Sequence, residues 1–292
     1  MTNEMKSLIY GIIGVLCFGI TLPVTRYISP SFDPFFIGSA RAFIAGLTAI
    51  VVLFLLKAVK PTKAQIRPLL VVTFGAVLGF PVMASFAMKY VPASHGGVVV
   101  GLLPMVTAIF GTMITKDKPS FWFWVTSVIG SILIVSFTLL KGGGHFQIGD
   151  IALFIAVLCA AIGYAVGGTL SKEMGGKYVI CWATIFALPF VLYPAITLFP
   201  SDPTSIAIEH WVGLIYLSLI SQLFAFFFWY KALAMGGIAR ISQLQLTQPV
   251  ITLSISALFI GELIGLQTIV FAFLIIIVVT INKKMPIATP NS

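Results

Sequence analysis

The sequence predicts an all-α integral membrane protein of ten transmembrane helices, arranged as two inverted five-helix repeats around a central cavity. Three observations carry this reading. Of 292 residues, 59% are hydrophobic and 9% are charged, against about 25% charged in an ordinary soluble domain. The apolar residues form ten runs, at 7–28, 35–56, 67–88, 93–114, 120–140, 149–171, 178–198, 211–233, 238–259 and 264–282, each near the ~20 residues that a helix needs to cross hydrocarbon. Finally, AMKYVPASHGGVVVGLLPMVTAIFGTMITKD from Ala87 and ALAMGGIARISQLQLTQPVITLSISALFIGE from Ala232 align without a gap at an offset of 145 residues.

The first run follows a lone Lys6, as a signal peptide would. It is too long for one and no small-x-small cleavage site follows, so it is expected to remain as the first span. The separators carry helix breakers: Pro30 and Pro34, Pro61, Pro92, Pro119, Gly142-Gly143-Gly144, Gly175-Gly176, Pro200 and Pro203, and Gly236-Gly237. No stretch remains for a soluble domain. No GxxxxGK[ST] pattern is present to power one. Cys17, Cys159 and Cys181 lie inside apolar runs without metal-ligand spacing and read as reduced packing residues. No Ser/His/Asp arrangement appears. The expectation is therefore no catalytic residue, no metal and no cofactor.

The formal charge is +9. The basic residues sit at the ends of apolar runs, which argues against a nucleic-acid partner and for a role in orientation. With the N-terminus in the cytoplasm, thirteen of the seventeen Lys and Arg residues fall on the cytoplasmic side, while Asp33, Asp150, Asp202, Glu209 and Glu262 fall outside. Both termini are thus expected in the cytoplasm. An odd number of spans per half inserts the second half upside down. The repeats are therefore drawn as residues 1–145 and 146–292, an inverted pair. FGITLPVTR from Phe18 and YAVGGTLSK from Tyr164 give a second echo near the same offset.

Pro104 and Pro249 occupy equivalent places near the middle of their spans. Proline removes a backbone bond and frees the carbonyl four residues earlier, here Val100 and Gln245. Paired breaks at one depth point to a transporter's binding site; the plainer reading is a kink that shapes packing. Pro23 and Pro81 are further breaks, in spans 1 and 3. Span 9 concentrates Ser242, Gln243, Gln245, Thr247 and Gln248 before its proline. Gln245 and Gln248, three apart, share a helix face, and their amides offer both donor and acceptor, suiting a zwitterion or, alternatively, a bond between helices. His95 has two readings, a proton carrier or an interfacial residue bonded to a neighbour. Arg41 lies about 10 Å into span 2; it either holds a carboxylate or, as the favoured reading, snorkels to the outer surface. Trp122, Trp124, Trp211 and Tyr90 read as interfacial belt residues. Gly75-xxx-Gly79, Gly97-xxx-Gly101 and Gly163-xxx-Gly167 read as faces of close helix approach.

The chain resembles the drug/metabolite transporter superfamily, specifically ten-span proteins with two EamA-type repeats. Gly19 and Arg26 at the end of span 1, SARAFIAGL around Arg41, the segment from Ala87 to Pro104, and Gly261-Glu262 after span 9 carry the resemblance. The chain departs from the repeat pattern at Asp117, which stands between two lysines. Within the superfamily it looks most like bacterial exporters of amino acids, aromatic ones included. The resemblance implies a cavity enclosed by spans 1, 3, 4, 6, 8 and 9. Candidate substrate contacts on those spans are Phe18, Thr21, Ser85, His95, Val98 and Leu102, with Tyr164, Phe226, Tyr230, Gln245 and Gln248. Pro104 and Pro249 are the candidate hinges.

The expected function is export of amino acids, aromatic and other neutral ones, and related small metabolites across the bacterial inner membrane by alternating access, with the bilayer and the substrate as partners. A drug, organic-cation or sugar-phosphate carrier of the same fold is the alternative. No Asp or Glu is placed in a span core for cation exchange, and no mid-membrane Lys/Arg pair in span 9 for phosphate. A membrane enzyme acting on lipid would need a catalytic cluster at one interface, and none is found.

Overall fold

The computed structural model describes residues 2–115, 118–141, 146–283, 285 and 287–288. Lys116, Asp117, the Gly142–Gly144 run and Lys284 lie outside the described residues. The chain runs through α1 (Asn3–Ile28), α2 (Pro34–Leu55), α3 (Lys63–Tyr90), α4 (Ala93–Ile114), α5 (Phe121–Lys141), α6 (Ile148–Met174), α7 (Gly176–Thr197), α8 (Ile208–Gly236), α9 (Ile238–Ile260) and α10 (Leu266–Lys283). Eight of these are long and apolar enough to cross a membrane; α5 and α10 supply shorter apolar stretches, Phe121–Phe137 and Leu266–Val278. Two-residue strands at Lys118–Pro119 and Ile287–Ala288 pair antiparallel beside them.

Local chemistry sets the helix starts. Asp33 accepts from the Phe35 and Phe36 amides at 2.8 and 3.3 Å, with Pro34 in the first turn. Thr62 and Gln65 form a capping box on α3. Gln147 and Asp150 form one on α6. The α4 start is capped from a distance. The Glu262 carboxylate accepts from the Ala93 and Ser94 amides at 2.8 and 2.9 Å, an anion at the positive end of a helix. Gly175 and Gly237 end α6 and α8 at φ 87° and 82°, a conformation that a side chain would strain.

The dominant packing pairs are α2 with α7, α1 with the second part of α8, α3 with α6, the second part of α4 with α6, and α5 with α10. Shifting each helix number by five turns α1–α8 into α6–α3 and leaves α2–α7 and α5–α10 unchanged. Several departures from α geometry follow the same relation, although the π turn at Ser256–Ile260 of α9 has no counterpart in α4. α3 widens to a π turn at Thr73–Gly79, and α8 does so at Tyr216–Phe224. α4 breaks at Gly101–Leu102 and restarts at Leu103 with Pro104 in its first turn. α9 tightens to a 3-10 turn at Ser242–Thr247 and restarts at Gln248 with Pro249 in its first turn.

The carbonyl of Gln245 was expected to be free. Instead the Gln248 amide donates to it, because 3-10 tightening moves the bond from four residues to three. The prolines of α1 and α3 are answered from elsewhere. Pro23 leaves the Gly19 carbonyl without its helical donor, and the Thr252 hydroxyl of α9 donates to it at 2.8 Å. Pro81 does the same to Val77, and the Gln222 Nε2 of α8 donates to that carbonyl at 3.1 Å. Both donors come from the other half of the chain.

The expected small-residue faces are helix contacts. A Cβ on Gly163 would lie 2.7 Å from the Ala76 backbone nitrogen, and one on Gly75 would lie 2.5 Å from the Cys159 carbonyl oxygen, so α3 and α6 meet backbone to backbone. The apolar residues left outside, such as Phe54, Tyr193 and Leu258, are mostly exposed and form the lipid-facing surface. Phe121, Trp122 and Trp124 are exposed at the start of α5, whereas Trp211 packs edge-on against Phe32 at 4.9 Å.

Gly163→Ala is expected to cost about 1–3 kcal/mol, because the α3 backbone must shift. Gly130→Ala should cost less, since its Cβ would meet side-chain atoms only, the flexible end of Met105 at 3.3 Å and Val278 Cγ1 at 3.4 Å. Thermal melting of the two purified variants checks the contrast.

Candidate functional site

Six helices converge at the middle of the bundle. α1 contributes Phe18 and Thr21, on either side of its interruption at Ile20. α2 contributes Arg41, and α3 contributes Ala76 and Phe80. Tyr164 comes from α6, Ser221, Gln222 and Phe226 from α8, and Gln248 from α9. Ser221 and Gln222 sit in the π turn of α8, and Ala76 in that of α3. π turns recur at functional sites because the inserted residue re-aims neighbouring side chains.

The polar groups form a short chain. The Thr21 and Ser221 hydroxyls lie 2.8 Å apart, and Arg41 Nη2 donates to Ser221 Oγ at 3.0 Å. Arg41 is 2% exposed, so the expectation that it snorkels to the surface is wrong. Its α2 face packs on the π turn of α8, and the side chain bonds inward to Ser221. Arg41 Nε and Nη1, Gln222 Oε1 and Gln248 Oε1 are buried without a hydrogen-bond partner. The Gln245 Nε2 and Oε1 are likewise buried without a hydrogen-bond partner.

Aromatic rings wall the other side. Phe18 stacks on Tyr164 at 6.1 Å and meets Phe226 edge-on at 5.0 Å. Trp229 stands edge-on to both Phe18 and Tyr164, at 6.0 and 5.7 Å. The space enclosed is small, about 10 Å³ open to the centre of a water molecule, room for about one water. Two larger clefts flank it. One of about 710 Å³ opens beside Tyr10, Lys172 and Lys231. The other, of about 910 Å³, opens beside Arg26, Lys89 and His210. They touch opposite ends of α1, so they lie at opposite ends of the bundle.

Of the residues singled out from sequence, Phe18, Thr21, Tyr164, Phe226 and Gln248 line the central pocket. Gln245 and Tyr230 sit directly behind it; Tyr230 donates to the Gly163 carbonyl at 3.1 Å and contacts Phe226. Ser85, Val98 and Leu102 are buried but do not line the pocket. His95 lies away from it, with Nε2 2.6 Å from the Asp150 carboxylate and its ring 4.9 Å from that of Phe137. Asp150, which the charge count assigns to the outer side, is fully buried. Its second oxygen accepts from the Gln147 amide at 2.9 Å. The sequence reading missed Ser221, Gln222, Phe80 and Ala76. The polar pair Ser221-Gln222 inside an apolar run was the available signal.

Apolar spans around a buried polar pocket define a multi-pass membrane protein of transporter type. The EamA-like transporter family model matches this chain twice, over residues 5–140 and 147–282. The chain belongs to that family, within the drug/metabolite transporter superfamily. It is 37% identical over 284 residues to the uncharacterized transporter YdeK of Bacillus subtilis strain 168, covering 97% of this chain and 99% of YdeK. It is 24% identical over 277 residues to the uncharacterized transporter YetK of the same organism, covering 88% of this chain and 82% of YetK. A solved crystal structure, 15% identical, superposes with a TM-score of 0.69 over 96% of this chain and 97% of its own, a likeness of fold.

His95 and Asp150 should act as a stability unit. His95→Ala and Asp150→Ala are each expected to cost about 3 kcal/mol, because each removes one side of a buried pair. The double variant should cost clearly less than the sum, as read from thermal melts of the four proteins.

Proposed function

We propose that this protein exports neutral amino acids, aromatic ones among them, and related small metabolites across the bacterial inner membrane by alternating access. In this reading it is a ten-span protein of two inverted repeats, residues 1–145 and 146–292, with both termini cytoplasmic. The observation that carries the substrate assignment is the pairing of unpartnered amide oxygens, Gln222 Oε1 and Gln248 Oε1, with the ring wall of Phe18, Tyr164 and Phe226 around one pocket. Amide oxygens accept from an ammonium group. Rings favour an apolar or aromatic side chain by stacking. Membership of a transporter family supports transport over catalysis.

Support for the inverted architecture comes from the symmetric helix pairing, the matched π turns and proline restarts, and the twofold family match. Support for alternating access comes from volume. A pocket of about 10 Å³ is too small for an amino acid, so the helices around it must part before a substrate enters. The flanking clefts are the natural vestibules. Gly101–Leu102 with Pro104, and the 3-10 turn with Pro249, are places where α4 and α9 bend without losing regular helix bonds. Transport needs no cofactor in this scheme.

Proteoliposomes holding the purified protein should show saturable flux of radiolabelled phenylalanine and leucine; no protein-dependent flux across a broad amino-acid panel would refute the assignment. Phe226→Ala should weaken the apparent affinity for phenylalanine about 10-fold more than that for alanine, from the loss of ring contact. Pro249→Ala should slow flux while folded yield holds.

A further inference from the structure

We infer that Arg41, held by Ser221 and Thr21, is the carboxylate-binding group of the central pocket, so that the site selects ligands carrying one carboxylate next to an apolar body. This rests on the reading of that pocket as the transport site, and it deepens that reading by naming the group that all substrates must share.

A cation in a low-dielectric interior is strongly disfavoured unless it is paired. Arg41 is 2% exposed, and Nη2 donates to the neutral oxygen of Ser221 at 3.0 Å. Its Nε and Nη1 have no partner. The chain has eight acidic residues, and among the described residues none lines this pocket. Asp150 is engaged by His95 and the Gln147 amide, Glu262 caps α4, and Glu4 pairs with Arg240. The counter-charge is therefore external.

The guanidinium fork matches a carboxylate bidentately. Ser221 takes the outer Nη2, and the 2.8 Å contact to Thr21 fixes Ser221 in turn. Each bidentate face of the fork pairs Nη2 with Nε or with Nη1; Ser221 takes one Nη2 hydrogen, so the other Nη2 hydrogen and an unpartnered nitrogen beside it are left for the ligand. One cation answers one negative charge, which suits a monocarboxylate better than a phosphate. The amide oxygens of Gln222 and Gln248 lie on the same pocket, where an α-ammonium group would follow its carboxylate.

The test is ligand binding to the purified protein, read by thermal shift and titration. The ligands are phenylalanine, 3-phenylpropanoate, phenylalaninamide, phenethylamine and chloride. The wild type should bind the two carboxylates at least about 10-fold tighter than the amide and the amine, with chloride weaker still. Arg41→Gln should weaken carboxylate binding about 10- to 100-fold, the range of a charged hydrogen bond, and abolish the preference. Arg41→Lys should recover part of it and Ser221→Ala should lose part of it. A merely structural Arg41 would lower melting temperature without moving the acid-to-amide ratio. If Arg41→Gln fails to fold, the wild-type ratio and the Lys variant decide. Equal binding of acid and amide, a preference that survives Arg41→Gln, binding of chloride alone, or no carboxylate binding at all overturns the inference. Binding of 3-phenylpropanoate without phenylalanine upholds it and removes the amino-acid reading instead.

Discussion

A carbonyl without a donor cannot be left in hydrocarbon, and this requirement organises the interior of the protein. Pro23 and Pro81 each deprive a carbonyl of its helical partner, and in each case a side chain from the other half of the chain supplies the bond, Thr252 to Gly19 and Gln222 to Val77. Tyr216 adds a third such bond to the Cys17 carbonyl at 2.9 Å. The breaks that weaken single helices are thus the points where α1 joins α8 and α9, and where α3 joins α8. Removing either partner would strand a buried polar atom, so the joints are specific as well as cohesive.

The same rule explains why the pocket stands out. Outside it, side chains such as Ser85, Thr107, Trp182, Gln243 and Ser256 also hold a buried polar atom without a partner, but the pocket brings several together in one space. Within it, two guanidinium nitrogens and two amide oxygens remain unanswered. They sit in a space too small for a ligand in this conformation. Of the six surrounding helices, α3, α8 and α9 carry π turns, the 3-10 turn and the Pro249 restart, and α1 is interrupted at Ile20; α4, which packs on α9, carries the Pro104 restart. Helix irregularities and unpartnered polar atoms therefore meet at this pocket. The far ends are held differently. At the end of α9, the Glu262 carboxylate grips the start of α4, and Asp150 grips His95 nearby. Both contacts join residues from the two halves.

Much of the fold was legible because lipid imposes a simple code. The apolar runs anticipated the helices to within a few residues at most ends, and Pro104, Pro249 and the small-residue faces stood out by spacing alone. Phe18, Tyr164, Phe226 and Gln248, which line the pocket, were singled out because the family resemblance indicated which spans enclose a cavity and aromatic and amide groups are conspicuous on those spans. Arg41 was misjudged because depth along a helix does not say which way a long side chain turns; only the packing of α2 on α8 decides it. Ser221 and Gln222 were missed since a π turn, which re-aims them, leaves no mark in the periodicity. His95 was placed at the pocket because its type suggested chemistry, but its partner Asp150 lies 55 residues away and pairing at that range is written in the fold.

The central claim is that the pocket beside Thr21 and Ser221 is reached from each side of the membrane in turn and is covered when substrate binds. Cysteine at position 221 in a background lacking Cys17, Cys159 and Cys181, modified by a membrane-impermeant thiol reagent in right-side-out and inverted vesicles, tests it most directly. The account predicts modification from both sides, slowed by phenylalanine in each. Reaction from one side only, or rates indifferent to every carboxylate ligand, would contradict it.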